Sequence, residues 1–277
     1  MRTIPHSWLF TPATNTTHYN AAAAVGAEAL ILDLEDSVAP ADKNQARCDA
    51  VKFVGTSGVQ PVVVAVRINA LDTLDGWRDL VALCDAVGAP DFLVIPKARS
   101  ATAIGDVKRV LHNSGKPCGV IAIAESAAAV HPDSIYDPRV VDGVLYGSAD
   151  MAADLGAAPQ AVVVQDARSA VLHHAVAARI PVIDGPFFDL TDSTRLEHAV
   201  GEAVREGFAG KAAIHPAQVA AINTGFAPTD DQICWAIKVL EANRAGAATV
   251  DGQMVDEAIA RRARHILAQN HQQQRSK

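Results

Sequence analysis

Short apolar runs alternate with longer stretches of helical periodicity along most of the chain. A run of about four to eight apolar residues between glycine or polar residues is typical of a buried parallel strand. Eight such runs occupy residues 7–12, 29–36, 61–69, 91–97, 119–125, 141–150, 180–186 and 210–216. The stretches between them are rich in alanine and begin with helix-capping residues. Eight strand–helix units in residues 1–228 predict an α/β fold, a (β/α)8 TIM barrel.

An open doubly wound sheet is the alternative architecture for such units. Its nucleotide fingerprint, G-x-G-x-x-G after a strand, does not occur, and neither does a G-x-x-x-x-G-K-[ST] phosphate loop. The barrel is therefore the better interpretation. Residues 229–277 are expected to form a C-terminal helical extension, with helical patterns at 230–245 and 255–269. This extension could act as a lid over its own active site or reach a neighbouring subunit.

Acidic residues terminate the two central runs of the predicted barrel. Glu125 follows the apolar run 119–124, and Asp150 ends the run that begins at 141. The carboxyl ends of parallel strands are where ligands and metals bind in α/β folds. Either acid alone could simply cap the next helix. A third residue favours a site: Arg67 stands inside another buried run and needs an anionic partner, so we expect a metal-bound anionic substrate.

Further charged residues occupy the ends of two neighbouring runs. Asp33 and Glu35 share one face of the second strand because side chains alternate with a period of two. These acids could bind the substrate, or pair with basic residues such as Lys43. Lys97, after the fourth run, could form a Schiff base, although pairing with acids in the barrel mouth is the favoured interpretation. His215, at the end of the eighth run, is a candidate acid or base.

Composition narrows the class of function. Hydrophobic residues make up 49% of the chain and charged residues 20%, which excludes disorder as the main state. The net charge of -7 offers no basic surface for nucleic acid or an anionic membrane. The four cysteines show none of the paired spacings of zinc or redox sites. Without a long apolar segment or a signal-type N-terminus, the protein is expected to be cytoplasmic.

The donor set predicts the kind of metal. Two carboxylates, with no histidines in ligand spacing and no paired cysteines, favour a hard cation, Mg²⁺ or Mn²⁺, that keeps several waters. Such an ion chelates a 2-oxo or 2-hydroxy acid through one carboxylate oxygen and the adjacent oxygen. It then acts as a Lewis acid on that adjacent oxygen.

Several segments together resemble the citrate lyase beta-subunit-like family, within the HpcH/HpaI aldolase superfamily of barrel enzymes. Lys43 and Arg47 belong to the matching set. The other matching segments are SWLFTP at 7–12, LDLEDSV at 32–38, VRIN at 66–69, IPK at 95–97, ES at 125–126, GSAD at 147–150, GFAGKAAIHP at 207–216 and GQMVD at 252–256. They occur in order over nearly the whole chain, so the resemblance is specific.

The resemblance implies a magnesium-dependent carbon–carbon lyase that cleaves a 3-hydroxyacyl-CoA by a retro-aldol, Claisen-type reaction. By similarity, Glu125 and Asp150 hold the metal, and Arg67 binds the acid and stabilises the enolate oxygen of acetyl-CoA. Asp256 would shuttle the proton from the lid of a neighbouring subunit in a homotrimer or hexamer. The expected substrate-binding residues are Pro12, Asp33, Glu35, Arg67, Lys97 and Glu125.

The strongest likeness is to the stand-alone members linked to itaconate breakdown, which split citramalyl-CoA into pyruvate and acetyl-CoA. Many members of the family have Gly-Ala-Glu-Asp where this chain has Gly147-Ser148-Ala149-Asp150. Asp150, the expected metal ligand, is retained, and Ala149 replaces the glutamate. The difference therefore leaves metal binding intact and bears on which substrate is chosen.

Four alternatives stay open at the sequence level. Two are related lyases: a citrate lyase beta subunit that acts on an acyl-carrier-protein thioester, and a malyl-CoA lyase that yields glyoxylate. The third is an aldolase that acts on free 2-oxo acids without CoA. The fourth is a non-catalytic CoA-binding or scaffold barrel, which the presence of Arg67, Glu125, Asp150 and Asp256 argues against.

Overall fold

A computed structural model describes residues 4–14, 16–55, 62–243 and 248–275. The chain divides into two compact units, residues 1–222 and residues 223–277. The predicted helix start at Asn15, strand start at Pro61 and helix end at Ala245 lie outside the described residues.

The first unit contains a closed barrel of eight parallel strands in sequential order, in which the last strand pairs with the first. This confirms the predicted (β/α)8 fold. The strands β1 to β8 are Ser7–Pro12, Ala29–Asp33, Val63–Arg67, Phe92–Ile95, Gly119–Ala124, Gly143–Tyr146, Val182–Asp184 and Gly210–Ala213.

Helices follow the strands and cover the barrel. The helices α1 to α8 are Thr16–Ala24, Lys43–Val54, Leu74–Asp85, Ala101–Asn113, Ser148–Asp154, Val162–Ala177, Ser193–Glu206 and Val219–Phe226. Helices occupy the stretches between the strands, as expected, and α5 is an additional helix. It begins directly after β6, so Asp150 lies in the first turn of a helix rather than at the end of a strand.

Alternate residues of the strands fill the barrel interior. Trp8, Ile31, Ile121 and Ile183 belong to one buried cluster, and the Trp8 ring meets Phe92 edge-on at 5.5 Å between ring centroids. The Trp8 indole N–H donates to the Pro5 carbonyl at 2.8 Å, so its polar atom is satisfied inside the core. This apolar interior closes the barrel beneath the mouth and leaves that end free for polar side chains.

The second unit consists of two helices and a hairpin. Helix α9 is Asp230–Asn243, strands β9 and β10 are Ala248–Val250 and Gln253–Val255, and helix α10 is Glu257–Arg275. The sequence indicated only a polar turn at residues 249–252 between the two helical patterns, and the two strands were not predicted. Asp251 and Gly252 both have positive φ, 48° and 78°, as a two-residue hairpin loop requires. The Asp-Gly pair was therefore a hairpin signal that the sequence interpretation missed.

Residues of both helices and of β10 form the core of the second unit. The side chains of Ala236, Val239, Val255 and Ala263 are buried there. Across the described part of the chain, no helix is both long enough and apolar enough to cross a membrane.

Candidate active site

The candidate site lies at the carboxyl ends of the barrel strands. A cavity of about 390 Å³ opens there. Its polar wall includes Asp33, Asp36, Arg67, Glu125 and Asp150. Its apolar wall contains Phe10, Pro12, Ile123, Leu145, Pro186, Phe188 and Ile214.

The strand period explains how these side chains converge. Ile121 and Ile123 point into the barrel core, so Glu125, two residues further, continues the same face above the core. The same step leads from Ile31 to Asp33 on β2, and from Ala65 to Arg67 on β3. Because the strands are in parallel register, Asp33 and Arg67 are direct partners across β2 and β3.

Arg67 is held by acids from the second strand. Its Nε donates to Asp33 Oδ1 and its Nη2 to Asp33 Oδ2, both at 2.6 Å. Its Nη1 lies 3.0 Å from Glu35 Oε2 and 3.4 Å from Asp36 Oδ2. The guanidinium also lies 4.9 Å from the centre of the Phe10 ring. This two-pronged ion pair fixes the plane of the guanidinium in the mouth of the barrel.

The acids around Arg67 differ in their pKa values. Burial alone would raise the pKa of Asp33, but the hydrogen bonds and charge of Arg67 lower it below the usual value. Glu35 has a raised pKa because burial outweighs the attraction of Arg67 and Lys97. The pKa of Arg67 is raised since its acidic partners outweigh the effect of burial. Asp33 and Arg67 are therefore a stable ion pair at neutral pH.

Glu125 is a buried carboxylate with one donor on its Oε1 atom. It is 4% exposed, and its Oε1 accepts a hydrogen bond of 2.6 Å from the Lys97 backbone N–H. Its pKa is raised to about 8, chiefly by burial; the charges of Glu35 and Asp150 also raise it, whereas the Lys97 N–H and the charge of Arg67 lower it. A buried carboxylate with such a high pKa binds a cation strongly once it is ionised.

Asp150 presents the second carboxylate of the cavity. It stands in the first turn of α5, where the helix dipole favours negative charge. Among the described residues it forms no hydrogen bond or ion pair, and Gly147 rather than Asp150 is the N-cap residue of α5. The interpretation of Asp150 as only a helix cap therefore has no hydrogen bond to support it.

The two carboxylates fit a hard divalent cation. Mg²⁺ typically takes one or two carboxylates and completes its shell with water and substrate oxygens. Within the described ranges, no group of three or more histidine, cysteine, aspartate or glutamate residues is arranged to hold a metal. Glu125 and Asp150 fit a magnesium site that needs substrate oxygens, and they do not fit an all-protein cage.

The remaining sequence candidates have distinct positions. Pro12 lines the cavity, whereas Glu35 and Lys97 do not. The Lys97 Nζ donates to Glu35 Oε1 at 2.9 Å, which is the pairing with acids that was favoured over a Schiff base. His215 accepts the Ala217 N–H on Nδ1 as a helix cap. In the second unit, Asp256 Oδ1 accepts the Ile259 N–H at 3.0 Å, so it caps α10.

Lys43 and Arg47 do not pair with Asp33 or the Glu35 carboxylate. Lys43 Nζ donates to the backbone carbonyls of Leu34 and Glu35 at 2.7 and 2.6 Å. Arg47 instead binds Asp79, with 2.6 Å between Nε and Oδ1. The expected alternative partners of Asp33 and Glu35 are therefore engaged elsewhere.

Two features of the site had no assigned role at the sequence level. A Cβ atom added to Gly147 would lie 2.7 Å from Glu125 Oε2, so only glycine leaves room for that carboxylate. The apolar wall includes Phe188 and Ile214, which are distant from the acids in sequence. The role of Gly147 had a signal in the sequence, a glycine between a strand and an acid. The apolar wall had no local signal.

A parallel barrel with acids and an arginine at its carboxyl mouth defines the class of barrel enzymes that bind anionic ligands. Within that class, the model of the HpcH/HpaI aldolase/citrate lyase family matches residues 6–216, and the chain belongs to this family.

Relatives in sequence and solved structures agree with this assignment. A citrate lyase subunit beta-like protein of Mycobacterium tuberculosis is 33% identical, over 96% of each chain. An L-malyl-CoA/beta-methylmalyl-CoA lyase of Cereibacter sphaeroides is 32% identical, over 94% of this chain and 93% of its own. Protein CitE of Mycobacterium tuberculosis, solved with magnesium, acetoacetate and coenzyme A, is 31% identical with a TM-score of 0.83, over 98% of this chain and 100% of that chain.

Proposed function

We propose that this protein is a magnesium-dependent carbon–carbon lyase that cleaves a 3-hydroxyacyl-CoA into a 2-oxo acid and acetyl-CoA. One observation carries the proposal: Glu125, Asp150 and the Asp33-bound Arg67 line the same cavity at the barrel mouth. Two carboxylates for a hard cation and a fixed guanidinium for an anion are the groups that this chemistry needs. The relative that was solved with magnesium, acetoacetate and coenzyme A supports the same combination.

Glu125 and Asp150 would hold Mg²⁺, and Mn²⁺ is an acceptable substitute. When bound, the ion supplies Lewis-acid polarisation of the oxygen next to the substrate carboxylate. Burial and the hydrogen bond on Oε1 hold the Glu125 side chain rigid, whereas the Asp150 side chain is more exposed to solvent. Such a pair leaves the remaining coordination positions to water and the oxo acid.

Arg67 would stabilise the negative charge that develops when the carbon–carbon bond breaks. The electron pair of that bond moves onto the carbon next to the thioester carbonyl and is shared with the carbonyl oxygen, which gives an enolate of acetyl-CoA. The hydroxyl group of the substrate releases its proton as it becomes the keto group of the 2-oxo acid. The Nη2 group carries two N–H donors, and Asp33 accepts one of them, so the other can face the developing charge. Because Asp33 and Glu35 fix the guanidinium beforehand, little reorganisation is needed in the transition state.

Asp256 would carry the proton that the enolate carbon requires. By this proposal it acts from the lid of a neighbouring subunit, in a homotrimer or hexamer. The substitution Asp256→Asn should lower kcat about 10²–10⁴-fold. Co-assembly of an Asp256→Asn chain with a Glu125→Gln chain should restore part of the activity, and a strictly additive mixture would argue against sharing between subunits.

The preferred substrate is citramalyl-CoA, which yields pyruvate and acetyl-CoA. The apolar wall of the cavity, with Phe188, Leu145 and Ile214, suits the methyl group of pyruvate. Ala149 lines the cavity at the position where many family members have glutamate. A second carboxylate on the oxo acid, as in citryl thioesters, would meet an apolar wall, and the desolvation of that charge costs free energy.

A coupled assay with purified protein tests the function. Citramalyl-CoA, malyl-CoA and citryl-CoA are offered in parallel, each with excess Mg²⁺ or with a chelator. We expect Mg²⁺-dependent release of pyruvate and acetyl-CoA from citramalyl-CoA. A preference for malyl-CoA would agree with the named lyase relative from Cereibacter sphaeroides and contradict the methyl-group argument. No turnover with any of the three substrates would contradict the proposal and favour a carrier-protein thioester as substrate, CoA-independent aldol chemistry or a scaffold role.

A further inference from the structure

We propose that Lys97 is a positioning residue that holds two buried carboxylates at the barrel mouth, Glu125 through its backbone N–H and Glu35 through its ammonium group. The proposal rests on the proposed lyase function, and it assigns Lys97 neither to covalent catalysis nor to substrate binding. Lys97 donates to Glu125 Oε1 through its backbone at 2.6 Å and to Glu35 Oε1 through its side chain at 2.9 Å.

The backbone of Lys97 is unusual for a residue with a side chain. Its φ is +49°, in the left-handed region that favours glycine. Such conformations persist in non-glycine residues only where the surroundings impose them, and they concentrate at functional sites. Among the described residues that are not glycine, Arg179 and Asp251 alone share this feature.

The left-handed turn changes the direction of the chain at the end of β4. In the strand period, Val94 points into the barrel core, and residue 97 would point to the other face. Pro96 has no N–H, so the Lys97 N–H is the first backbone donor after Ile95. The turn places that N–H within hydrogen-bonding distance of Oε1 of the buried Glu125. The other carboxylate oxygen of Glu125, Oε2, lies next to Gly147.

The Lys97 ammonium group reaches the site through a second acid. It binds Glu35 Oε1, and Glu35 Oε2 lies 3.0 Å from Arg67 Nη1. The lysine side chain is about two-fifths exposed, at 39%, while that of Glu35 is 7% exposed. Lys97 thus adds a second positive charge beside the buried Glu35, which also contacts Arg67, and it does so without lining the cavity itself.

The two contacts come from different atoms, so substitutions can separate them. Lys97→Gly and Lys97→Val both remove the ammonium group. Glycine adopts positive φ freely, whereas a β-branched valine resists it. Lys97→Met keeps the length of the side chain without its charge, Lys97→Arg restores a cation, and Lys52→Met removes an exposed lysine of α2 as a control.

Mg²⁺ affinity by calorimetry and the steady-state constants are the readouts. We expect Lys97→Gly and Lys97→Met to bind Mg²⁺ within about threefold of wild type and to lose about 10–100-fold in kcat, with partial rescue in Lys97→Arg. We expect Lys97→Val to lose a further 10-fold or more in Mg²⁺ affinity. Equal Mg²⁺ affinity in the glycine and valine variants would overturn the backbone role. Wild-type kcat in Lys97→Met would overturn the side-chain role.

A measurement on the metal-free protein separates this proposal from the proposed function. The exchange rate of the Lys97 amide proton is followed by NMR in wild type, Glu125→Gln and Glu125→Ala. We expect strong protection in the first two, because glutamine keeps an acceptor oxygen, and loss of protection in Glu125→Ala. Rapid exchange in the wild type would overturn the positioning role even if the lyase is active. Protection in a wild type that neither binds Mg²⁺ nor cleaves a thioester would overturn the lyase assignment alone.

Discussion

The Arg67 guanidinium meets the Asp33 carboxylate edge to edge, with both N–O distances at 2.6 Å. The two residues face each other across β2 and β3, so the pair joins the strands at the mouth of the barrel. Arg67 is 8% exposed and Asp33 is 1% exposed, which means that water screens the pair little. The pair therefore fixes the position of the positively charged guanidinium in the cavity.

Replacement of Arg67 by lysine should reduce turnover and leave the fold intact. Lysine keeps the positive charge that Asp33 requires, but its single ammonium group cannot match both carboxylate oxygens and also face an enolate. We expect kcat/KM to fall about 10²–10³-fold. Circular dichroism and steady-state kinetics provide the measurement, with Arg205→Lys on α7 as the control. Turnover within threefold of wild type would remove Arg67 from the reaction.

Neutral replacements of the two metal acids should lower Mg²⁺ affinity. Glu125→Gln and Asp150→Asn each keep the shape of the side chain and remove its charge. Because Mg²⁺ depends on one or two carboxylates for its charge compensation, we expect each variant to lose at least about 10-fold in affinity. Calorimetry with Mg²⁺ measures this, and Asp166→Asn on α6 serves as the matched control. Unchanged affinity in both site variants would place the metal elsewhere.

The affinity for Mg²⁺ should depend on pH because of Glu125. Its pKa is raised to about 8 in the metal-free protein, so it carries a proton at neutral pH. Metal binding must displace this proton, and affinity should therefore fall as the pH decreases from about 9 to about 6. Calorimetry in two buffers of different ionisation enthalpy should show about one proton released at pH 7. An affinity that does not change with pH would contradict the assignment of Glu125 as a ligand.

The same pKa predicts how the metal-free fold responds to pH. The folded pKa of Glu125 lies above its usual value, so the folded state binds this proton more tightly than the unfolded state. The stabilising contribution is complete below the unfolded pKa and is lost as the pH rises through about 8. Glu125→Gln should abolish this loss. Thermal unfolding of both proteins with a chelator, at about pH 6 and pH 9, tests the sign.

The fold was predictable because the signals are local. Each strand is a short apolar run, and its period of two places Asp33, Arg67 and Glu125 on the same face as the core residues beneath them. Eight successive strand–helix units are compatible with few architectures, of which the (β/α)8 barrel is one. The start of α5 could not be predicted in this way. A glycine followed by an aspartate, as at Gly147 and Asp150, occurs both at the end of a strand and in the first turn of a helix.

The arrangement within the site was less accessible to sequence reasoning. The strand period assigns Lys97 to the outer face, and only its positive φ brings the N–H onto Glu125. The choice of Arg67 rather than Lys43 as the partner of Asp33 depends on strand register, which a single sequence does not fix. The apolar wall combines residues from five strand ends or loops, and nothing local connects Phe10 with Phe188.

Gly147 should be essential for the position of Glu125. A Cβ atom at residue 147 would lie 2.6 Å from Glu125 Cβ and 2.7 Å from Oε2, which no real contact allows. The φ of Gly147 is -99°, which alanine adopts without strain, so Gly147→Ala isolates the contact. We expect a loss of about 1–3 kcal/mol in the free energy of unfolding from overpacking, and at least about 10-fold weaker Mg²⁺ binding.

A second glycine provides the control for this substitution. In Gly201→Ala, on α7, the nearest atom to the added Cβ is Arg205 Nη1 at 3.6 Å, which is an ordinary contact. Alanine in a helix should stabilise the fold by about 0.5–1 kcal/mol and leave Mg²⁺ affinity unchanged. Denaturant unfolding and calorimetry on both variants give opposite signs of stability change if the packing argument holds. Wild-type Mg²⁺ affinity in Gly147→Ala would mean either that Glu125 moves aside at no cost to the site or that it does not bind the ion, and the Glu125→Gln titration decides between the two.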